Sequence, residues 1–129
     1  MKTLNRFAIA LFSILFVTSC VQKPQLVKVK FAVDMTKETD VTEVGIIGQF
    51  EPLSWSETVS MLDEDRDGIY EAELTCKIYY KYMEFKFVKN GNIIELDGQG
   101  NRTIIVNDES DQEYRAIFDT KPADSTTDR

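Results

Sequence analysis

The chain has 129 residues, with 15 Lys and Arg against 22 Asp and Glu, so its formal net charge is −7. A surface with this excess of negative charge argues against nucleic acid or anionic lipid as a partner. The chain contains no histidine, which excludes histidine-based catalytic triads, histidine general bases and zinc sites built on imidazole.

The first 19 residues have the pattern of a secretion signal. Lys2 and Arg6 precede an uncharged run over residues 7–17, which leads into Val17-Thr18-Ser19-Cys20. A membrane-spanning helix needs about 20 apolar residues, and this run is shorter. We therefore predict a cleaved signal peptide over residues 1–19.

The residues around Cys20 resemble the lipobox of bacterial lipoproteins, in which the cysteine is acylated and becomes the new N-terminus. The resemblance implies an anchor to the membrane through a lipid on Cys20. Val21 follows where an aspartate would resemble an inner-membrane retention signal, which favours the outer membrane of the cell envelope. The alternative is an ordinary signal peptide followed by an incidental cysteine.

Removal of Lys2 and Arg6 with the signal leaves 13 basic and 22 acidic residues, a net charge of −9. Residues 20–25 form a short lipidated tether that reaches at most about 17 Å. Cys76 is then the remaining unmodified thiol, so no disulfide can form within the chain. We interpret Cys76 as a small buried hydrophobe, and stability must come from the core.

From Leu26 onward, apolar residues alternate with polar ones, as in half-buried strands. The segments with strand signals are 26–33, 42–48, 58–62, 69–75, 83–88, 93–96, 103–106 and 113–118. Such spacing predicts an all-β, immunoglobulin-like β-sandwich of about seven to eight antiparallel strands. We expect this domain to cover residues 26–118 and the polar residues 119–129 to form a disordered tail.

An ordered set of these segments resembles the starch- and glycogen-binding modules, which are small immunoglobulin-like domains that bind α-glucans. The match covers about residues 26–106. The residues that carry it are 27–35, Val44 to Phe50, Asp65 to Glu71, Met83 to Val88, Asn90-Gly91 and Asn101-Arg102-Thr103.

The resemblance implies a sugar site made of Trp55, Lys86, Glu95 and Asn101, with no metal and no other cofactor. Sugar rings stack their apolar C–H faces on aromatic rings, while charged and amide groups bind their hydroxyls. The family's second tryptophan falls within residues 93–96, where this chain has no aromatic residue. Trp55 lies in a loop, and the sequence leaves open whether it stacks on sugar or plugs one end of the sandwich.

Two functions follow from these observations. The first is a non-catalytic lipoprotein that binds α-glucan chains weakly at the cell envelope. The alternative is a protein-interaction or accessory module of an envelope complex, with protein partners, that keeps the fold without binding sugar. A catalytic domain is disfavoured because the lack of histidine removes most mechanisms.

Two further clusters stand out. Tyr79, Tyr80 and Tyr82 could form a second aromatic platform or a partner-binding edge, or they could extend a strand and cap the core. Asp63, Asp65 and Asp67 match the first half of a calcium loop, but Leu74 stands where that loop needs a bidentate glutamate. We therefore expect an acidic turn without a metal ion.

Overall fold

The computed structural model describes Cys20, residues 23–107 and residues 111–122. The predicted signal peptide, part of the tether and residues 123–129 of the predicted tail lie outside the described residues. No helix in the described part of the chain is long and apolar enough to cross a membrane.

The described residues form eight strands, and the all-β prediction is confirmed. Each strand overlaps one of the predicted segments, but the predicted strand over residues 93–96 is only two residues long. The strands are β1 Gln25–Asp34, β2 Val44–Gly48, β3 Val59–Met61, β4 Ile69–Ile78, β5 Tyr82–Lys89, β6 Ile93–Ile94, β7 Arg102–Ile105 and β8 Asp111–Ile117.

The strands form two sheets. Sheet 1 has the order β4-β1-β8, and sheet 2 has the order β3-β2-β5-β6, with β7 also paired to β5. All pairings among these strands are antiparallel except that of β1 with β8, which is parallel. The expectation of a purely antiparallel sandwich is corrected at this pair, because β8 enters sheet 1 opposite Lys28 and runs in the same direction as β1.

The core lies between the two sheets and is built from alternate residues of β1 and β5. Phe31 of β1 contacts Phe85 of β5 edge to face, with ring centroids 5.0 Å apart, and Phe85 contacts Tyr114 of β8 at 4.8 Å. Cys76 is fully buried in the same cluster, and burial raises the pKa of its thiol to about 11. The thiol therefore stays protonated at neutral pH, which confirms its interpretation as a buried hydrophobe.

The two ends of the sandwich carry different parts of the chain. At one end, Gln25 pairs with Ile78 and the Val106 N–H donates to the Lys81 carbonyl. This end, called the tether end, therefore holds the start of β1, the β4–β5 turn and the end of β7. The β3–β4 hairpin over residues 62–68 lies at the opposite end, called the hairpin end.

A buried ion pair joins the two sheets near the hairpin end. The Arg102 guanidinium donates from Nε to Glu95 Oε1 at 2.6 Å and from Nη2 to Glu95 Oε2 at 2.8 Å. Both residues are at most 2% exposed. Arg102 Nη2 also donates to the carbonyls of Ile117 and Thr120, each at 2.9 Å. The pair thus ties β7 to the end of β8.

Backbone N–H groups also bind the Glu95 carboxylate. Its carboxylate accepts hydrogen bonds from the Phe87 N–H at 2.9 Å and the Asp119 N–H at 3.1 Å. Asp119 in turn accepts a hydrogen bond from the Leu96 N–H at 2.7 Å. Asp119 and Thr120 therefore belong to the folded domain, and the predicted boundary at residue 118 is corrected to include them.

The charge of Arg102 is maintained despite burial. Burial by itself lowers the pKa of this guanidinium, but the hydrogen bonds and negative charge of Glu95 outweigh it and leave the pKa above its ordinary value. The guanidinium carbon also lies 5.6 Å from the centroid of the Phe87 ring, within the range of a cation–π contact. Removing Arg102 would leave the Glu95 carboxylate buried without its counter-charge.

We expect Arg102→Met to lower the free energy of unfolding by about 3–5 kcal/mol, the usual cost of removing one member of a buried ion pair. The matched control is Arg115→Met, because Arg115 pairs with Glu113 at the same 2.6 Å but on the exposed face of β8. That control should cost less than about 1 kcal/mol. Urea unfolding measures both variants. Equal losses would contradict a structural role for the buried pair.

Candidate functional site

Lys86, one of the residues that the resemblance implicates, lies on the outer face of sheet 2. Side chains alternate across a strand, and Met83, Phe85 and Phe87 of β5 lie in the core. Lys86 is therefore on the outer face. Its register partner Ile47 in β2 lies beside it.

Lys86 fastens a loop onto this face. Its Nζ donates to the carbonyls of Leu96 at 3.0 Å and Gln99 at 3.2 Å, and the residue is only 9% exposed. Asn101 follows this loop directly and is exposed. An ammonium group carries three donors, and two of those of Lys86 are bound to this loop.

The loop that carries Trp55 reaches the outer face of sheet 2 at Thr58. It connects β2 to β3, and a Cβ added at Gly45 would come within 2.0 Å of Thr58 Cγ2. Only the absence of a side chain at Gly45 allows this close approach. Further along, the Ser54 carbonyl accepts a hydrogen bond from the Gly48 N–H at 3.1 Å. Trp55, which lies between Ser54 and Thr58 along the chain, is 46% exposed, so it is not a buried plug.

Glu95 does not join this surface. It is 1% exposed, and both of its carboxylate oxygens accept hydrogen bonds from Arg102 and from backbone N–H groups. A sugar hydroxyl would have to displace this buried ion pair to reach the carboxylate. The predicted sugar contact at Glu95 is therefore corrected: this residue holds the fold together.

Exposed aliphatic side chains replace the missing second tryptophan. Ile93 and Ile94 are each 48% exposed. Ile94 pairs with Val88, and because Val88 is two residues from Lys86 along β5, Ile94 lies on the outer face. The sequence analysis did not assign these isoleucines to a site. The sequence feature that could have identified them is the pair of apolar residues that follows Asn90-Gly91-Asn92.

The three tyrosines gather at the tether end around Phe50. The Phe50 ring centroid lies 6.0 Å from those of Tyr79 and Tyr80, and Tyr80 stacks on Tyr82 at 6.1 Å. Phe50 is 8% exposed, whereas the tyrosines are 40–54% exposed. They therefore cap the core, as one of the alternatives expected, and also leave much aromatic surface open.

The carboxylates of Asp63, Asp65 and Asp67 offer ligand oxygens within 4.8 Å of one another. These groups also organise the hairpin, because Asp63 accepts hydrogen bonds from the N–H groups of Asp67 at 3.1 Å and Gly68 at 2.9 Å. Burial tends to raise the pKa of Asp63, but the backbone donors outweigh it and lower the pKa. Such bonds are those of an acidic turn.

Leu74 stands at the closing position of the calcium loop, where a bidentate glutamate would be needed. Glu73, one residue before the expected closing position, forms an ion pair with Lys28 across sheet 1 at 2.9 Å. Calcium loops of this type depend on a bidentate glutamate at that position. The turn therefore lacks the ligand that confers strong binding.

We expect millimolar calcium to leave the melting temperature unchanged within about 1 °C, because a specific ligand at a hundred times its dissociation constant would add about 2.7 kcal/mol and several degrees. Differential scanning fluorimetry with calcium and with EDTA measures this. A calcium-dependent rise of several degrees that Asp65→Ala abolishes would show that the turn is a metal site.

Two open grooves in the described part of the chain lie away from the outer face of sheet 2. One, of about 460 Å³, runs along β1 and β8, and the other, of about 510 Å³, lies beside the β3–β4 hairpin. Neither is lined by Trp55, Lys86 or Asn101. Neither groove therefore belongs to the candidate site.

Comparisons with known proteins bear on the fold. No protein-family profile and no curated protein sequence matches the chain. Among solved structures, it is similar to a γ-CGTase, a cyclodextrin glycosyltransferase, from alkalophilic Bacillus clarkii, with 18% sequence identity and a TM-score of 0.53. The similarity covers 72% of this chain but only 15% of the enzyme. This similarity shows the fold.

Proposed function

We propose that the chain is a lipid-anchored, non-catalytic protein of the bacterial cell envelope that binds α-glucan chains weakly. The observation that carries this proposal is the arrangement around Lys86. This residue fastens the loop leading to Asn101 onto the outer face of sheet 2, and the β2–β3 loop that contains the exposed Trp55 reaches the same face at Thr58. We propose that the Trp55 ring, the Lys86 ammonium group and the Asn101 amide act together on this face.

These three groups suit a neutral sugar. The exposed indole of Trp55 offers a flat apolar face for the C–H side of a glucose ring. The Asn101 amide can both donate to and accept from sugar hydroxyls, and the remaining Lys86 donor can bind one more. The net charge of −9 in the mature chain argues against a ligand that carries phosphate or sulfate groups.

Binding should be weak because one stacking ring is missing. Ile94 offers apolar contact where the family has an aromatic ring, but an aliphatic side chain lacks the flat face of an indole. Losing an aromatic anchor commonly costs at least about 2 kcal/mol, which is more than tenfold in affinity. We therefore propose a dissociation constant of about 1 mM, equivalent to about −4 kcal/mol.

The similar enzyme supports the choice of ligand class. Its name is that of a cyclodextrin glycosyltransferase, and cyclodextrins are rings of α-1,4-linked glucose. The proposal of α-glucan binding for this chain combines that name with the starch-binding-module motifs of the sequence. The enzyme's own catalytic activity is not proposed here, since the chain spans only 15% of its length.

A second candidate function rests on different observations. Glu95 is committed to the interior, and Ile93 and Ile94 are each 48% exposed. Exposed apolar residues next to a reduced sugar site are also consistent with a module that binds another envelope protein. Sugar titration separates the two candidates.

We expect maltoheptaose to quench or shift the fluorescence of Trp55, the only tryptophan, with half-saturation at about 1 mM. Asn101→Ala should weaken binding severalfold, and Trp55→Ala should abolish retardation of the protein in a native gel that contains starch. Leu62→Ala is the matched control, because Leu62 is an exposed apolar residue at the hairpin end and should not affect retardation.

One result of the sugar titration would contradict glucan binding. If tens of millimolar maltoheptaose leave the Trp55 emission unchanged and starch does not retard the wild-type chain, glucan binding is wrong. The interaction module would then be the better reading of the exposed isoleucines.

The anchor is tested separately in living cells. We expect a palmitate analogue to label the wild-type chain through Cys20 and not the Cys20→Ala variant. Cys76 is a built-in control, since its buried, protonated thiol should not react. Equal labelling of both chains, or recovery of both in the aqueous phase of a detergent extraction, would rule out the lipid anchor.

A further inference from the structure

The tether end of the sandwich presents apolar side chains to solvent. Leu26 of sheet 1 is 70% exposed, and Ile105 of sheet 2 is 74% exposed. Tyr79 and Tyr80 lie in the turn that joins the two sheets, and Tyr82 pairs with Ile105. These five residues, here called the apolar rim, therefore extend across the end of both sheets.

The short tether between Cys20 and β1 places the tether end of the sandwich close to the proposed lipid. Gln25, the first residue of β1, pairs with Ile78, the last residue before the tyrosine turn. Cys20 is five residues before Gln25, so it lies within about 17 Å of the start of β1. An anchor on Cys20 would hold the apolar rim, and no other end of the domain, next to the bilayer.

The chemistry of the rim matches the membrane–water interface. Tyrosine is enriched at that level of the bilayer because its ring is apolar and its hydroxyl is polar. Leu26 and Ile105 offer aliphatic side chains on either side of the tyrosines. Contacts spread over the ends of both sheets fit a broad flat surface better than a single sugar chain.

The distribution of charge fits the same orientation. Asp63, Asp65 and Asp67 lie at the hairpin end, away from the tether. At the tether end, Lys77 and Lys81 flank the tyrosine turn. Glu51 and Asp111 also lie toward this end. Contact of the rim with a neutral lipid surface would therefore keep only the Asp63, Asp65 and Asp67 cluster away from that surface.

We propose that the apolar rim of Leu26, Tyr79, Tyr80, Tyr82 and Ile105 rests in the headgroup layer of the membrane that carries the lipid. This inference rests on the proposed anchor at Cys20. Docking of the rim would fix the orientation of the domain, with the β3–β4 hairpin directed away from the bilayer. The outer face of sheet 2 would then stand roughly upright, open to glucan chains from the side.

The test replaces the natural lipid by a chemical one, so that docking is judged independently of acylation in cells. The chain from Cys20 onward keeps the described core, whose residues lie between Val27 and Phe118. Cys20 is exposed and Cys76 is buried, so a maleimide phospholipid couples selectively to Cys20. The coupled chain is placed in phosphatidylcholine vesicles that contain lipid brominated near the top of the acyl chain.

Two single-tryptophan reporters compare the ends of the sandwich. In a Trp55→Phe background, Tyr80→Trp reports on the rim, and Leu62→Trp reports on an equally exposed apolar position at the hairpin end. We expect the brominated lipid to quench the Tyr80→Trp emission at least about threefold more than that of Leu62→Trp, since the bromine quenches only at short range and the rim lies at the interface. Equal quenching would overturn the proposal.

A matched pair of leucine variants tests whether the rim itself causes the contact. In the Tyr80→Trp chain, Leu26→Asp should reduce quenching to the level of the hairpin-end reporter, whereas Leu62→Asp should leave it unchanged. If Leu26→Asp has no effect, the tether alone explains the proximity and the docking surface is wrong. Urea midpoints of all variants confirm that they remain folded.

Two further outcomes would assign the rim to another partner. A shift of the Tyr80→Trp emission on addition of maltoheptaose without vesicles would make the tyrosines a sugar platform. A shift that depends on protein concentration without vesicles would make the rim a contact between copies of the chain. Either result would overturn membrane docking, while the labelling of Cys20 in cells would still decide the anchor.

Discussion

The buried ion pair between Glu95 and Arg102 is the interaction on which the rest of the structure depends. A buried carboxylate is tolerated only with a counter-charge and hydrogen bonds, and Glu95 receives both. Through Arg102 it reaches the end of β8 in sheet 1, and through the Phe87 N–H it reaches β5 in sheet 2. The pair therefore closes one corner of the sandwich and fixes the relative position of the sheets there.

The same ion pair shapes the candidate sugar surface. Because Glu95 turns into the core, β6 stops at Ile94 and the chain continues as a loop over the outer face of sheet 2. Lys86 binds two carbonyls of that loop and so sets where Asn101 stands. The burial of Glu95 and the ordering of the loop thus have one cause. In the proposed sugar site, Lys86 would be held rigidly and Glu95 would make no contact.

The two ends of the domain have complementary properties. The start of β1 brings the proposed lipid anchor to the end that carries the exposed tyrosines, while the acidic turn at Asp63 is at the opposite end. This division follows from the pairing of β1 with β4 and from the length of the tether. A domain oriented in this way presents its sheet 2 face sideways along the membrane, where a long glucan chain can pass over Trp55 and Lys86.

The sequence by itself determined the strands and the core, because a period of two in apolar residues decides which side chains face inward whatever the strands pair with. The same alternation put Lys86 on the outer face, between the buried residues Phe85 and Phe87 of β5. Only the tertiary structure decided that Glu95 is internal, since its partner Arg102 is seven residues away across a loop that no periodic pattern describes. The tertiary structure alone also showed that β8 pairs with β1 in parallel. Strand direction depends on where the chain returns to the sheet and not on local sequence.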